Sequence, residues 1–223
     1  MLWYGSSILQ GAVASRPGQI MTHIVSRNLK RVVYNFGFSG NCWMETSVAQ
    51  YLAAVYPRPG LIVIDCNPNM VGFNDTSGPA GPPSIYDRAI PLVKYFRENG
   101  HPNTPIIMTE GTQEGATWAY QSTSQRFADK RRALRSRFND LVESGDRHLY
   151  YSKGPPIYSS SLGMAASVAG GARLLVDPTV GGTHPTDLGM RKQASWWSET
   201  IPKILVEDAK KPSPSVCSSA KHT

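Results

Sequence analysis

Leu61-Ile62-Val63-Ile64-Asp65, followed by Cys66-Asn67-Pro68-Asn69, is a short apolar run that ends in a turn of asparagines around a proline. Runs of this length, rich in β-branched residues and bounded by turn formers, read as strands. Working outward, the same pattern recurs at Leu2 to Tyr4, Val32 to Phe36, Pro105 to Thr109 and His148 to Tyr151. Longer amphipathic segments lie between them. Pro17 to Leu29 sets Ile20, Ile24 and Val25 at helical spacing, with Pro17 suited to a first turn, and Ser47 to Tyr56 carries Val48, Leu52 and Val55 on one face. Ile85 to Asn99 repeats Ile85, Ala89, Leu92, Val93 and Phe96 before Gly100. A long helix is predicted from about Tyr120 to Glu143, and a last one from Asp187 to about Thr200. Strands alternating with helices predict an α/β fold whose central parallel sheet has about five strands.

The chain has 223 residues, 40% of them apolar and 9% aromatic, enough for one domain with a real core. That domain is expected over residues 1–207, with a disordered tail over 208–223 containing the Lys-Pro-Ser-Pro-Ser run. Val71 to Pro83 reads as a loop at the sheet edge, and the Gly-, Ser- and Ala-rich stretch Gly154 to Gly171 as an insertion. No apolar run approaches the roughly 18 residues of a membrane span, and no basic region followed by an apolar stretch marks an export signal. The cytoplasm is the default compartment. Yet Met1-Leu2-Trp3-Tyr4 reaches Gly5 sooner than a buried strand of about five or six residues would. A start further upstream, and with it a secreted or periplasmic location, stays open. Cys42, Cys66 and Cys217 are odd in number and widely spaced, which supports neither a disulfide framework nor a zinc site. They read as two core thiols and one in the tail.

The net charge of +7 is partly local, because Arg126, Lys130, Arg131, Arg132, Arg135 and Arg137 crowd one predicted helix. With no aromatic stacking platform beside them they read as a solvated face, and no nucleic-acid partner is expected. Oligomeric state is not legible.

In an open parallel sheet, ligands gather at the carboxyl ends of the strands. Ser7 follows the first strand, Ser39-Gly40-Asn41 the second and Asn67-Pro68-Asn69 the third, and His184 precedes the last helix. Taken singly, each has an ordinary reading as a turn former or helix cap. Together they make a chemical set. Ser7 Oγ can attack an ester or amide carbonyl while His184 takes its proton, and the backbone N–H groups of Ser7 and Gly40 with the Asn69 side chain can hold the oxyanion.

The wording of four ordered blocks adds to this. Tyr4-Gly5-Ser6-Ser7-Ile8-Leu9-Gln10-Gly11, Asn35-Phe36-Gly37-Phe38-Ser39-Gly40-Asn41, Asp65-Cys66-Asn67-Pro68-Asn69-Met70 and Gly182-Thr183-His184-Pro185-Thr186-Asp187-Leu188-Gly189-Met190 resemble the SGNH/GDSL hydrolase superfamily, in particular its bacterial esterase-type branch. The resemblance spans about residues 2 to 205. It implies a flavodoxin-like three-layer α/β/α sandwich and a serine esterase or acylhydrolase that needs no cofactor or metal. By position it makes Ser7 the nucleophile, Gly40 and Asn69 the further oxyanion-hole members, and His184 the base, with Asn67 the fallback for Asn69. Glu45 and Asn67 become possible pocket residues, and Glu110 is another by its place at the end of the fourth strand. A small-molecule or carbohydrate ester, O-acetyl esters first, is the implied substrate class.

Two positions depart from the pattern. Ser6 stands where an aspartate usually precedes the nucleophile, and Gly181 stands three residues before the histidine, where the triad acid is expected. That acid fixes the imidazole tautomer and stabilises the imidazolium. A Ser7/His184 dyad oriented by a backbone carbonyl, Asp177 reaching in from Leu174 to Thr179, and a weakened or inactive binding relative are the alternatives. Asp187 reads as a structural residue at the helix start.

Overall fold

The computed structural model describes residues 1–56, 58–73, 83–112, 121–157, 165–167, 173–175 and 178–211. The five expected strands are present as β1 (Leu2–Ser6), β2 (Tyr34–Phe38), β3 (Ile62–Asp65), β4 (Ile106–Thr109) and β5 (Leu149–Ser152). All pair in parallel, in the order β2-β1-β3-β4-β5. The chain leaves β1 toward one edge of the sheet and β3 toward the other. This reversal opens a crevice at the carboxyl ends of β1 and β3.

Alternation along the strands sorts two cores. Trp3, Val63 and Ile107 point toward α2 (Met21–Leu29) and α6 (Asp187–Asp208), where Met21, Val25, Met190 and Trp197 meet them. Trp3 and Trp197 meet edge to face with centroids 5.1 Å apart, a contact worth ~0.5 to 1.5 kcal/mol beyond the area it buries. Leu2, Tyr4, Ile62, Ile64, Ile106 and Met108 point the other way, onto a layer formed by α3 (Thr46–Val55), α4 (Ile85–Glu98) and α5 (Gln121–Glu143). The result is the flavodoxin-like sandwich.

The last helix runs past the expected end near Thr200 to Asp208, straight through Pro202. A proline removes one helical hydrogen bond, but Ile201 is fully buried and Ile204 and Leu205 pack on the Trp3–Trp197 core, so tertiary burial outweighs the break. Asp208 itself accepts from Tyr150 Oη at 2.7 Å and lies 2.9 Å from His148 Nδ1, which fastens the helix end to β5. Of the tail expected over 208–223, Asp208 ends α6 and residues 209–211 form the turn after it, while the rest, with Cys217, lies outside the described residues, as does most of the expected Val71 to Pro83 loop. β6 (Ala165–Ser167), inside the expected Gly154 to Gly171 insertion, pairs antiparallel with β7 (Arg173–Leu175), which follows it. A second small ribbon, β8 (Thr179–Val180) against β9 (His184–Pro185), leads into α6. Among the described residues no helix is long and apolar enough to cross a membrane.

Candidate active site

Ser7 opens α1 (Ser7–Gln10), a single turn directly after β1. The turn forms because Ser6 caps it, its Oγ accepting the Ile8 N–H at 3.4 Å, and because Gly11 closes it in the left-handed region at φ 86°. Ser6 thus supplies the short polar cap that an aspartate would also give. Ser7 is buried, and its Oγ lies 2.9 Å from Nε2 of His184, 177 residues away. β9 carries the histidine. Val180 pairs with His184 across the ribbon, the Thr186 N–H donates to the Pro178 carbonyl at 2.9 Å, and Pro185 is buried. Asp187, the first residue of α6, accepts from the Ser15 N–H at 2.9 Å and the Ser15 hydroxyl at 2.5 Å. Those bonds hold its carboxyl below the usual range and join the chain after α1 to the helix after the histidine.

On the far side of the crevice, Gly40 has φ +69°, and a Cβ there would meet nothing within 4 Å, so its backbone borders open space. Asn69 closes a short 3₁₀ turn (Asn67–Asn69) after β3, and its Nδ2 donates to the Asn41 carbonyl at 2.6 Å. That bond uses one of the two amide hydrogens of Nδ2. Asn67 is turned inward instead: its side chain is buried and makes no hydrogen bond among the described residues.

The loop that carries Gly40 is held from several directions. Cys42 and Met44 are non-glycine residues at φ 70° and 54°, a conformation costing ~1 to 2 kcal/mol each. Such strain persists only where surrounding contacts over-determine it. Glu45 supplies some of them, accepting the Trp43 N–H at 2.8 Å and the Tyr4 hydroxyl, while Arg88 on α4 donates to the Trp43 carbonyl at 3.1 Å. Burial first, and then the Glu45 hydrogen bond, push the Tyr4 phenol well above its ordinary range. Glu45 therefore sits beneath the loop as its brace.

The sequence reading of the cysteines is corrected here. Cys42 and Cys66 are both buried and form a disulfide, Cα to Cα 5.0 Å, across 24 residues. They lie in two separate loops that meet only because β2 and β3 flank β1, an adjacency that spacing along the chain does not show. The bracing contacts of Asn41, Tyr4 and Arg88 were equally outside the sequence reading.

Glu110 follows β4 but faces α5, on the opposite side of the sheet from Ser7 and α6. It accepts from Tyr151 Oη at 2.6 Å, lies 3.1 Å from Arg131 Nε, and lines a groove of about 480 Å³ with Arg132 and Arg135. Gly181 has φ +60°, and a Cβ there would meet nothing within 4 Å. Among the described residues His184 Nδ1 makes no hydrogen bond. Asp177 lies outside them. Asp65, at the end of β3, is fully buried with Oδ1 unpartnered among the described residues, and burial pushes its carboxyl up to about 7.

A serine and a histidine meeting at the carboxyl edge of a parallel sheet form the arrangement of a nucleophile with its base. The chain belongs to the GDSL-like lipase/acylhydrolase family, whose family model matches residues 1–202. No match was found among curated protein sequences. Among solved structures, a protein described as a GDSL-like lipase from Bacteroides ovatus is 30% identical with a TM-score of 0.74, over 92% of this chain and 53% of that one. The salicylyl-acyltransferase SsfX3 of a tetracycline biosynthetic pathway is 20% identical, TM-score 0.65, over 92% and 54%. A two-domain esterase active on acetylated mannans is 18% identical, TM-score 0.58, over 96% and 51%. The chain thus spans about half the length of each of these three proteins.

Proposed function

We propose that this protein is a serine carboxylic ester hydrolase working through an acyl-enzyme on Ser7. The observation that carries the reading is the 2.9 Å contact between Ser7 Oγ and His184 Nε2 at the mouth of the β1/β3 crevice. Ser7 Oγ attacks the ester carbonyl as His184 Nε2 takes its proton. The tetrahedral oxyanion sits among the N–H groups of Ser7 and Gly40 and the second amide hydrogen of Asn69. His184 returns the proton to the leaving alkoxide, and the acyl group stays on Ser7. Water then attacks the acyl-enzyme with His184 as base, releasing the carboxylic acid.

Acetylated carbohydrate is the substrate class favoured here, supported by the mannan esterase among structures of the same fold. The test is hydrolysis of p-nitrophenyl acetate and of acetylated oligosaccharides by the wild type and Ser7→Ala. At least a ~1,000-fold drop in the variant is expected, and equal rates would sink the proposal. A second reading is favoured by one observation, the lack of an acid on His184 Nδ1 among the described residues. On it the protein keeps the crevice as a binding site for acyl or carbohydrate ligands, turning over slowly or not at all. Ligand binding by calorimetry without Ser7-dependent hydrolysis would select that reading.

A further inference from the structure

The Cys42–Cys66 disulfide joins the two loops that carry Gly40 and Asn69. Gly40 lies two residues before one cysteine and Asn69 three residues after the other. We propose that this bond is a positioning device for the oxyanion hole, fixing the Gly40 N–H and the Asn69 amide at one separation. The proposal rests on the esterase reading above and assigns Cys42 and Cys66 a role within it.

The backbone carries the argument. Gly40, Cys42 and Met44 all have positive φ, at 69°, 70° and 54°, so the loop alternates through a conformation that the last two residues disfavour. Several groups from Asn41 to Glu45 are held by side chains. Asn69 holds the Asn41 carbonyl, Glu45 the Trp43 N–H, Arg88 the Trp43 carbonyl and Tyr4 the Glu45 carboxylate. Each of those is a hydrogen bond that water can replace. The disulfide is the one covalent tie, and it acts on Cys42 itself. Without it Cys42 is free to relax toward negative φ, which swings the neighbouring peptide planes and carries Gly40 N–H away from the crevice. The same release frees Asn41, and with it the acceptor that orients the Asn69 amide. Misplacing a catalytic donor by about 1 Å is enough to cost on the order of 100-fold in rate.

A staple that only stabilises the fold would lower the melting temperature and leave turnover of the folded enzyme alone. The paired variants Cys42→Ala/Cys66→Ala and Cys42→Ser/Cys66→Ser separate the two roles, assayed well below their melting temperatures. We expect kcat for p-nitrophenyl acetate to fall roughly 10- to 100-fold with KM within about threefold. Adding Asn69→Ala to a paired variant should cost less than Asn69→Ala costs in the wild type, since the donor is already displaced. Hydrogen–deuterium exchange provides a readout that needs no turnover: amides of residues 39–45 should exchange faster in the paired variants while those of β1, β3 and β4 stay protected. A kcat within twofold of wild type in a folded variant, or unchanged exchange in 39–45, overturns the positioning role. If the wild type shows no Ser7-dependent hydrolysis, the esterase reading fails, and the exchange measurement still decides what the disulfide holds.

Discussion

The two sides of the crevice are built differently. The loops after β2 and β3 are tied by a disulfide, by Asn69 to Asn41, by Glu45 to Tyr4 and Trp43, and by Arg88. The loop that brings in His184 rests on a two-residue ribbon with glycines at φ +60° and +77° before the histidine, and no carboxylate on its ring among the described residues. Among the described residues, the heavier bracing lies where negative charge would develop rather than around the ring of the base. Fixed donors lower the barrier without reorganising during the reaction, and the histidine stands 2.9 Å from its serine, within reach of the proton it would take.

The fastened side has its own cost, and the largest expected effect lies there. Asp65 keeps its proton up to about pH 7 when folded but loses it near pH 4 when unfolded. Across that window the unfolded chain releases protons that the folded chain holds, so stability falls as pH rises and levels off above about 7. Asp65→Asn should flatten that slope and raise stability at pH 8 by up to roughly 4 kcal/mol. Urea melts at pH 5 and 8 check it, and parallel pH dependence in the two proteins would count against a buried neutral Asp65.

Next is Asn69→Ala, expected to lower kcat about 100- to 1,000-fold, or ~2.7 to 4 kcal/mol, with KM little changed. A loss confined to KM would mean that Asn69 only binds substrate. Gly181→Asp tests the asymmetry by placing an acid three residues before the histidine. The position has open space around a Cβ, and aspartate tolerates positive φ better than most residues. A rise in kcat of about tenfold is expected, and no rise would indicate that another group already orients the ring. Tyr4→Phe is the smallest change. It removes one hydrogen bond to the Glu45 carboxylate, for a loss of ~1 to 2 kcal/mol in a denaturant melt and a minor fall in kcat.

What the sequence made legible follows the same divide. Strands such as Leu61 to Asp65 are readable because burial on both faces demands a continuous apolar run. The positions of Ser7, Gly40 and Asn69 just after strands are readable from turn residues, while singling them out with His184 as a set took the wording of the four ordered blocks. The braces are not. Tyr4 looks like one more core aromatic, and Cys42 and Cys66 look like core thiols, because partnership across strands that are not neighbours in sequence leaves no periodic trace. The last helix, expected to end near Thr200, runs on through Pro202 to Asp208 because of packing on the Trp197 core, which local sequence does not display.

The disulfide also bears on where the protein is made. A buried cystine is a product of oxidising surroundings, such as the periplasm or the extracellular space, and is rare where glutathione and thioredoxin keep thiols reduced. The bond between Cys42 and Cys66 is therefore one that oxidising surroundings favour and reducing ones oppose. Protein isolated from its native cytosol with both thiols free would argue against the bond. Recombinant protein folded in a reducing cytosol would carry the right sequence and fold but an unlatched crevice, so a weak activity measured on it would describe the expression host rather than the enzyme.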